Sequence, residues 1–128
     1  MGKEFSNLRE LIKYSAKKFA DNIAFKIKKK DENGKIFYDE VTYERLNADV
    51  EHLARCLMNR RLAGERIAVI GKNSYEWVVS FVAVTACGGV IVPLDSIATA
   101  PQHRPQCSHC ASVFCSALPH ALSMRGHW

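Results

Sequence analysis

Four residues near the C-terminus have the types and spacing of a metal site. Cys107, Cys110, Cys115 and His120 are separated by two, four and four residues. Three thiolates and one imidazole suit a tetrahedral Zn²⁺ ion. The gaps are those of a zinc knuckle with its last two ligand types exchanged. Such a tail would be a metal-nucleated interaction module able to touch nucleic acid. Against this, the glycines usual between knuckle ligands are missing, and Arg104 and Arg125 are the only bases from residue 96 onward. Any Cys- and His-rich segment produces such spacing by accident. The simpler expectation is an irregular, oxidation-prone end that holds no metal.

Phosphate chemistry is the second candidate. Gly71-Lys72-Asn73-Ser74 lies between an apolar run and a helix-length segment, and phosphates bind at such strand-to-helix turns. Yet neither G-x-G-x-x-G nor G-x-x-x-x-G-K-[ST] is present, and Gly71 is the only glycine of the turn. Glu76 would add negative charge where a phosphate should sit. The turn reads as a plain connection, with Asn73 as helix cap and Glu76 reaching back to it. Lys28-Lys29-Lys30 could meet phosphate or an anionic membrane, but Asp31 and Glu32 follow at once, which favours a solvated hairpin end. His52 lies among polar neighbours and reads as a surface histidine.

The elements that must position these groups follow from composition and periodicity. The chain has 128 residues, 48% hydrophobic, with a net charge of +5, enough for one domain. Acids and bases are interspersed up to Asp95, so no dedicated nucleic-acid surface is indicated. No cleavable apolar signal segment is evident at the N-terminus, so a cytoplasmic protein with free thiols at Cys56 and Cys87 is expected. Met1-Gly2 with Ser6 fits a loose acylation pattern of the kind that short matches produce by chance. Trp77 to Leu94 carries no charge and approaches the length of a membrane span. Gly88, Gly89 and Pro93 interrupt it, which favours a buried helix followed by a strand.

Taken in order, Leu8, Leu11, Ile12, Ala16 and Phe19 recur at helical spacing behind Ser6 or Asn7 as cap, and Asp21-Asn22 ends the helix. Ile23, Phe25 and Ile27 alternate with small or charged residues. Asn33-Gly34 then marks a turn, and residues 23–41 read as a hairpin. Thr42 caps a second helix with Leu46, Val50, Leu53, Ala54 and Leu57 inward, ended near Gly64. The stretch from Arg66 to Asp95 reads as strand, helix, strand. Its two β-branched runs, Ile67–Ile70 and Val90–Val92, lack polar alternation, as parallel strands buried on both faces do.

The order helix, hairpin, Thr-Tyr-Glu-Arg-Leu helix and RIAVIGKNSYEWVVSFVAVTACGGVIVPLD resembles the N-terminus of AMP-forming acyl-CoA synthetases. Within that adenylate-forming ligase superfamily, Tyr75-Glu76-Trp77 and Val92-Pro93-Leu94-Asp95 are similar to the long-chain fatty-acid branch. The resemblance covers about three quarters of the chain, by pattern and local motif. It implies activation of a carboxylic acid with ATP and Mg²⁺ to an acyl-adenylate, then transfer to coenzyme A. It also places the chemistry downstream, in a Ser/Thr/Gly-rich phosphate loop, a Tyr-Gly-x-Thr-Glu segment, a ribose-binding Asp and a C-terminal Lys. None of these occurs here. No catalytic or cofactor-binding residue is therefore assigned, and the chain is expected to be an incomplete piece, inactive alone, with no cofactor of its own.

After Asp95 the composition changes. Residues 96–128 contain no Asp, Glu or Lys, yet hold four of the five His and three of the five Cys. Such a switch is that of a shifted reading frame or a rearranged end; an intact ligase frame just beyond the codon for Asp95 would be expected in the source DNA. The organisation expected is an α/β partial N-terminal ligase domain over 1–95 and an aberrant Cys/His/Pro-rich tail over 96–128. The tail is expected to supply no partner for the two strands, leaving an open sheet edge and apolar faces through which copies could self-associate. Two rival expectations are a small non-catalytic module with a zinc-binding tail and a fragment completed by a second chain.

Overall fold

The computed structural model describes residues 4–94 and the backbone of the strand Ser112–Cys115. The chain forms two compact units, Met1–Asp49 and Val50–Trp128. In the first, α1 (Leu8–Lys18) starts at Asn7, whose side chain accepts the Glu10 amide at 2.9 Å. The Glu10 carboxylate accepts the Ser6 amide at 3.1 Å in return, so one orphan donor of the helix start is satisfied and the residue before the cap is tied back to the first turn. No α1 residue is fully buried, and Leu8 and Leu11 of the apolar stripe remain exposed.

A two-stranded antiparallel ribbon follows, β1 (Ile23–Lys30) against β2 (Ile36–Thr42), in register from Ile23 opposite Thr42 to Lys30 opposite Ile36. The Asp31 carboxylate holds the turn by accepting the Asn33 and Lys35 amides at 3.0 and 2.7 Å. Thr42 caps α2 (Tyr43–Asn59) as expected, accepting the Arg45 amide at 3.2 Å. The Tyr43 and Glu44 amides donate back to Asn22 and Ala20, so the start of α2 is tied to the turn that follows α1.

The second unit contains the rest of α2, with Val50, Ala54 and Leu57 buried. Its end differs from expectation. Arg61 takes the left-handed position that closes the helix, at φ 59°, and Gly64, at φ 77°, lies in the turn beyond it. The Arg61 amide donates to Met58 and the Leu62 amide to Leu57, both at 2.9 Å, the bond pair that closes a helix over its last turn. Leu62 and Leu57 are both buried, and burial at these two positions favours the closure although a non-glycine residue takes the left-handed place.

From here β3 (Arg66–Ile70), α3 (Tyr75–Ala86) and β4 (Val90–Leu94) form the expected parallel unit, Arg66 opposite Val90 through Ile70 opposite Leu94. Ile67, Ala68 and Val69 have no exposed surface. α3 is apolar all round, as a buried crossover helix must be. Its one buried polar group, the Ser80 hydroxyl, donates to the Glu76 carbonyl at 2.8 Å. The cap is corrected by one residue: Ser74 accepts the Trp77 amide at 3.3 Å, whereas Asn73 is exposed. At the other end Gly88 takes φ 75°, and Gly89 donates to Val84 at 2.9 Å. A methyl group on Gly89 would lie 3.0 Å from the carbonyl oxygens of both Glu65 and Val84, so this position needs glycine for close approach.

The sheet has a third member. The strand β5 (Ser112–Cys115) pairs in parallel with β3, from Ile67 opposite Ser112 to Ile70 opposite Cys115, giving the order β4-β3-β5. This corrects the expectation that the tail supplies no sheet neighbour. Val113 and Phe114 are strand-forming types, but a run of four is too short to show a period and is hidden among Pro and His. Pro93 lies in β4, which has β3 as its only strand partner among the described residues, the edge position in which a missing N–H is tolerated.

Candidate functional site

Three parallel strands end together, at Leu94, Ile70 and Cys115. Ligands of open α/β sheets lie beyond such carboxyl ends, so the turn after β3 is where binding chemistry belongs. The turn consists of half-buried Gly71, exposed Lys72 and Asn73, and Ser74. The Ser74 oxygens are already engaged, the side chain by the Trp77 amide and the carbonyl by the Val78 amide at 3.2 Å. Glu76 is exposed in the first turn of α3, where its charge opposes an anion. A nucleotide phosphate needs a cradle of free amides with cations. This turn has no glycine-rich curve to form one, so its residues do not fit that group, and no reaction step can be routed through them.

The metal reading is not brought together either. Cys107, Cys110 and His120 lie outside the described residues, and of Cys115 only the backbone, at the end of β5, is described. Among the described residues no three His, Cys, Asp or Glu side chains are grouped to hold a metal ion. Cys56 and Cys87 are free and half-buried, and Cys87 Sγ donates to the Val84 carbonyl at 3.2 Å. His52 is exposed, as expected. No helix among the described residues is long and apolar enough to cross a membrane.

A group of charges stands instead on the hairpin. Asp39 Oδ2 accepts from Lys29 Nζ at 2.6 Å and Asp39 Oδ1 from Arg45 at 3.5 Å. The Lys29 hydrogen bond holds the Asp39 carboxyl below its ordinary value; partial desolvation pushes the other way, and the charges of Lys29 and Arg45 reinforce the lowering. This group joins β1, β2 and the first turn of α2, and its lysine and carboxylate are taken up by each other. It is structural. Sequence reasoning read Lys29 only as part of a solvated lysine run and left Asp39 and Arg45 unassigned, because only the strand register places Asp39 diagonal to Lys29.

Residues 12–123 match the model of a family described as AMP-binding enzyme. The match continues past Asp95, so the change of composition there is not where the family likeness stops. A tenellin synthetase from Beauveria bassiana is 36% identical over 73 residues, 56% of this chain and 2% of its own length. A plipastatin synthase from Bacillus subtilis is 39% identical over 57 residues, 44% of this chain and again 2% of its own. The chain thus spans a very small part of these curated relatives. Among solved structures, the N-terminal subdomain of Klebsiella oxytoca NpsA superposes with a TM-score of 0.73 at 18% identity, over 91% of this chain and 29% of that one. An artificially fused adenylation–PCP di-domain NRPS from Klebsiella oxytoca gives 0.74 at 19% identity, over 98% and 22%. These likenesses are of fold: the α/β arrangement is that of the N-terminal subdomain of adenylation domains.

Proposed function

The chain belongs to the AMP-binding enzyme family, and from that premise we propose that it is scaffold of an adenylate-forming domain rather than its reacting centre. The reaction supported is activation of a carboxylic acid: its carboxylate displaces pyrophosphate from ATP to give an acyl-adenylate, a reaction for which a complete domain would use Mg²⁺. The observation that carries the scaffold role is the turn after β3. It stands at the carboxyl end of the sheet, yet Ser74 is bound to its own helix and Glu76 puts a negative charge in the first turn of that helix. What the segment contributes is a buried parallel sheet on which a complete domain can be built.

The finer reading is transfer of the acyl group to coenzyme A from a long-chain fatty acid, supported by Tyr75-Glu76-Trp77 and by the run from Val92 to Asp95. A second reading, an adenylation domain of a peptide synthetase, is favoured by the similar stretches of plipastatin synthase and the adenylation–PCP protein. One experiment tests the scaffold role. ATP–pyrophosphate exchange is measured with this chain over a panel of fatty, aryl and amino acids. No exchange above the protein-free blank is expected. Exchange with any acid overturns the scaffold role, and the acid that supports it selects the branch.

A further inference from the structure

The lysine run that the sequence presents as a solvated hairpin end has a second component, which only the strand register supplies. Lys28 stands directly opposite Tyr38, and Lys30 directly opposite Ile36. Directly opposite residues of an antiparallel pair share a face, so these four side chains form one patch. All four are exposed, Ile36 at 46% and Tyr38 at 58%. Large apolar side chains are seldom left so open next to one another on a small unit. Lys26, on the same face but further from the turn, is paired with Glu40 at 3.0 Å, and on the other face Lys29 is bound to Asp39. Among the described residues, neither Lys28 nor Lys30 has an acidic partner within ion-pair distance. The nearby Asp31 carboxylate is taken up by the amides of its own turn, and Lys35 adds a further positive charge there.

We propose that this face of the hairpin, Lys28, Lys30, Ile36 and Tyr38, is a peripheral docking surface for an anionic phospholipid membrane. Charge complementarity selects the partner. Unpaired ammonium groups on long apolar stems meet lipid phosphates while the stems lie along the acyl boundary. The Tyr38 ring sits at the level where one end of the side chain is apolar and the other wet. Ile36 decides against a nucleic acid: an aliphatic side chain gives bases nothing to stack on, whereas insertion at a lipid boundary uses it. The patch lies within one ribbon, so no further segment is needed to complete it.

The test uses the 128-residue chain in co-sedimentation with vesicles of phosphatidylcholine containing roughly 30% phosphatidylserine, against pure phosphatidylcholine, at about 0.1 M salt. Binding is expected only with the anionic vesicles. Each lysine charge near the surface changes the partition constant about fivefold, so Lys28→Gln with Lys30→Gln is expected to weaken it about 25-fold. Ile36→Ser with Tyr38→Ser should weaken it while leaving the salt dependence intact. Circular dichroism of each variant checks that the ribbon has kept its fold, and the lysine pair, whose side chains are exposed, serves if the apolar pair unfolds. Lys17→Gln with Lys72→Gln removes the same charge elsewhere and is expected to leave binding within about twofold. An equal loss in that control overturns the proposal in favour of general attraction. Absence of anionic-vesicle binding also overturns it, and binding only to a single-stranded oligonucleotide would replace the lipid with nucleic acid.

Discussion

The two sheets surround their backbones with opposite chemistry. In the β4-β3-β5 sheet the central strand has three consecutive residues with no exposed surface, Ile67, Ala68 and Val69. In the β1–β2 ribbon three consecutive residues, Ile36, Phe37 and Tyr38, are each about half exposed, and cross-strand ion pairs line both faces. A parallel strand must be covered on both faces, so β3 dictates a helix and strand neighbours around it. An antiparallel ribbon accepts solvent. Stability is therefore expected to reside in the first sheet and surface chemistry in the second.

The largest test of that contrast compares one truncation in each sheet. Ile67→Ala removes apolar volume from a fully buried site and is expected to cost about 2–5 kcal/mol. Phe37→Ala, at a side chain 45% exposed, should cost no more than about 1 kcal/mol. Urea unfolding midpoints of the two variants measure the difference. Equal shifts would break the contrast, because the ribbon would then carry as much packing as the sheet.

Backbone fit gives the next effects, again inside the buried unit. Gly89→Ala forces a methyl group against two carbonyl oxygens at 3.0 Å, and a loss of about 1–3 kcal/mol is expected from the same unfolding curves. The two helix ends then sharpen the argument, because α2 and α3 close by the same bond pattern with different residues in the left-handed position. Gly88→Ala should cost about 1 kcal/mol, and Arg61→Gly should gain somewhat less than about 1 kcal/mol. The gain is reduced because glycine also loosens the unfolded chain. If Arg61→Gly destabilises, Arg61 has a role that its backbone angle does not reveal.

These positions also mark what could be read before the fold was known. The helix starts near residues 7 and 42, the hairpin and the strand–helix–strand unit were legible because their signals are local: side-chain period, capping oxygens, Asn-Gly and Gly-Gly breaks. Gly64 was the natural end signal for α2, yet Arg61 takes the left-handed place that closes the helix, favoured by burial of Leu57 and Leu62, which no local preference encodes. Likewise the helix cap fell on Ser74 rather than Asn73, a shift of one residue between two equally good capping types. β5 escaped notice because four residues cannot display a period, and its partner lies more than forty residues earlier. The basic–apolar face of the hairpin was not readable, since Lys28 and Tyr38 become neighbours only through register.

The smallest effect belongs to the ion group on the ribbon, and it comes with a sign. Asp39 titrates below its ordinary value of 3.8 in the folded chain, first because Lys29 is hydrogen-bonded to it. A carboxyl lowered by folding stabilises the fold fully above its unfolded pKa, and that contribution is lost as pH falls through the folded value. Lys29→Gln removes the bond, so the Asp39 titration followed by carboxyl carbon NMR is expected to move up toward 3.8. The unfolding midpoints of parent and variant should differ slightly at neutral pH and converge once Asp39 is protonated. Added salt should narrow the neutral-pH gap, because exposed pairs are screened. A gap that persists in acid would mean that Lys29 acts by packing along Phe37 rather than by charge, and the ribbon would then resemble the buried sheet more than its exposure implies.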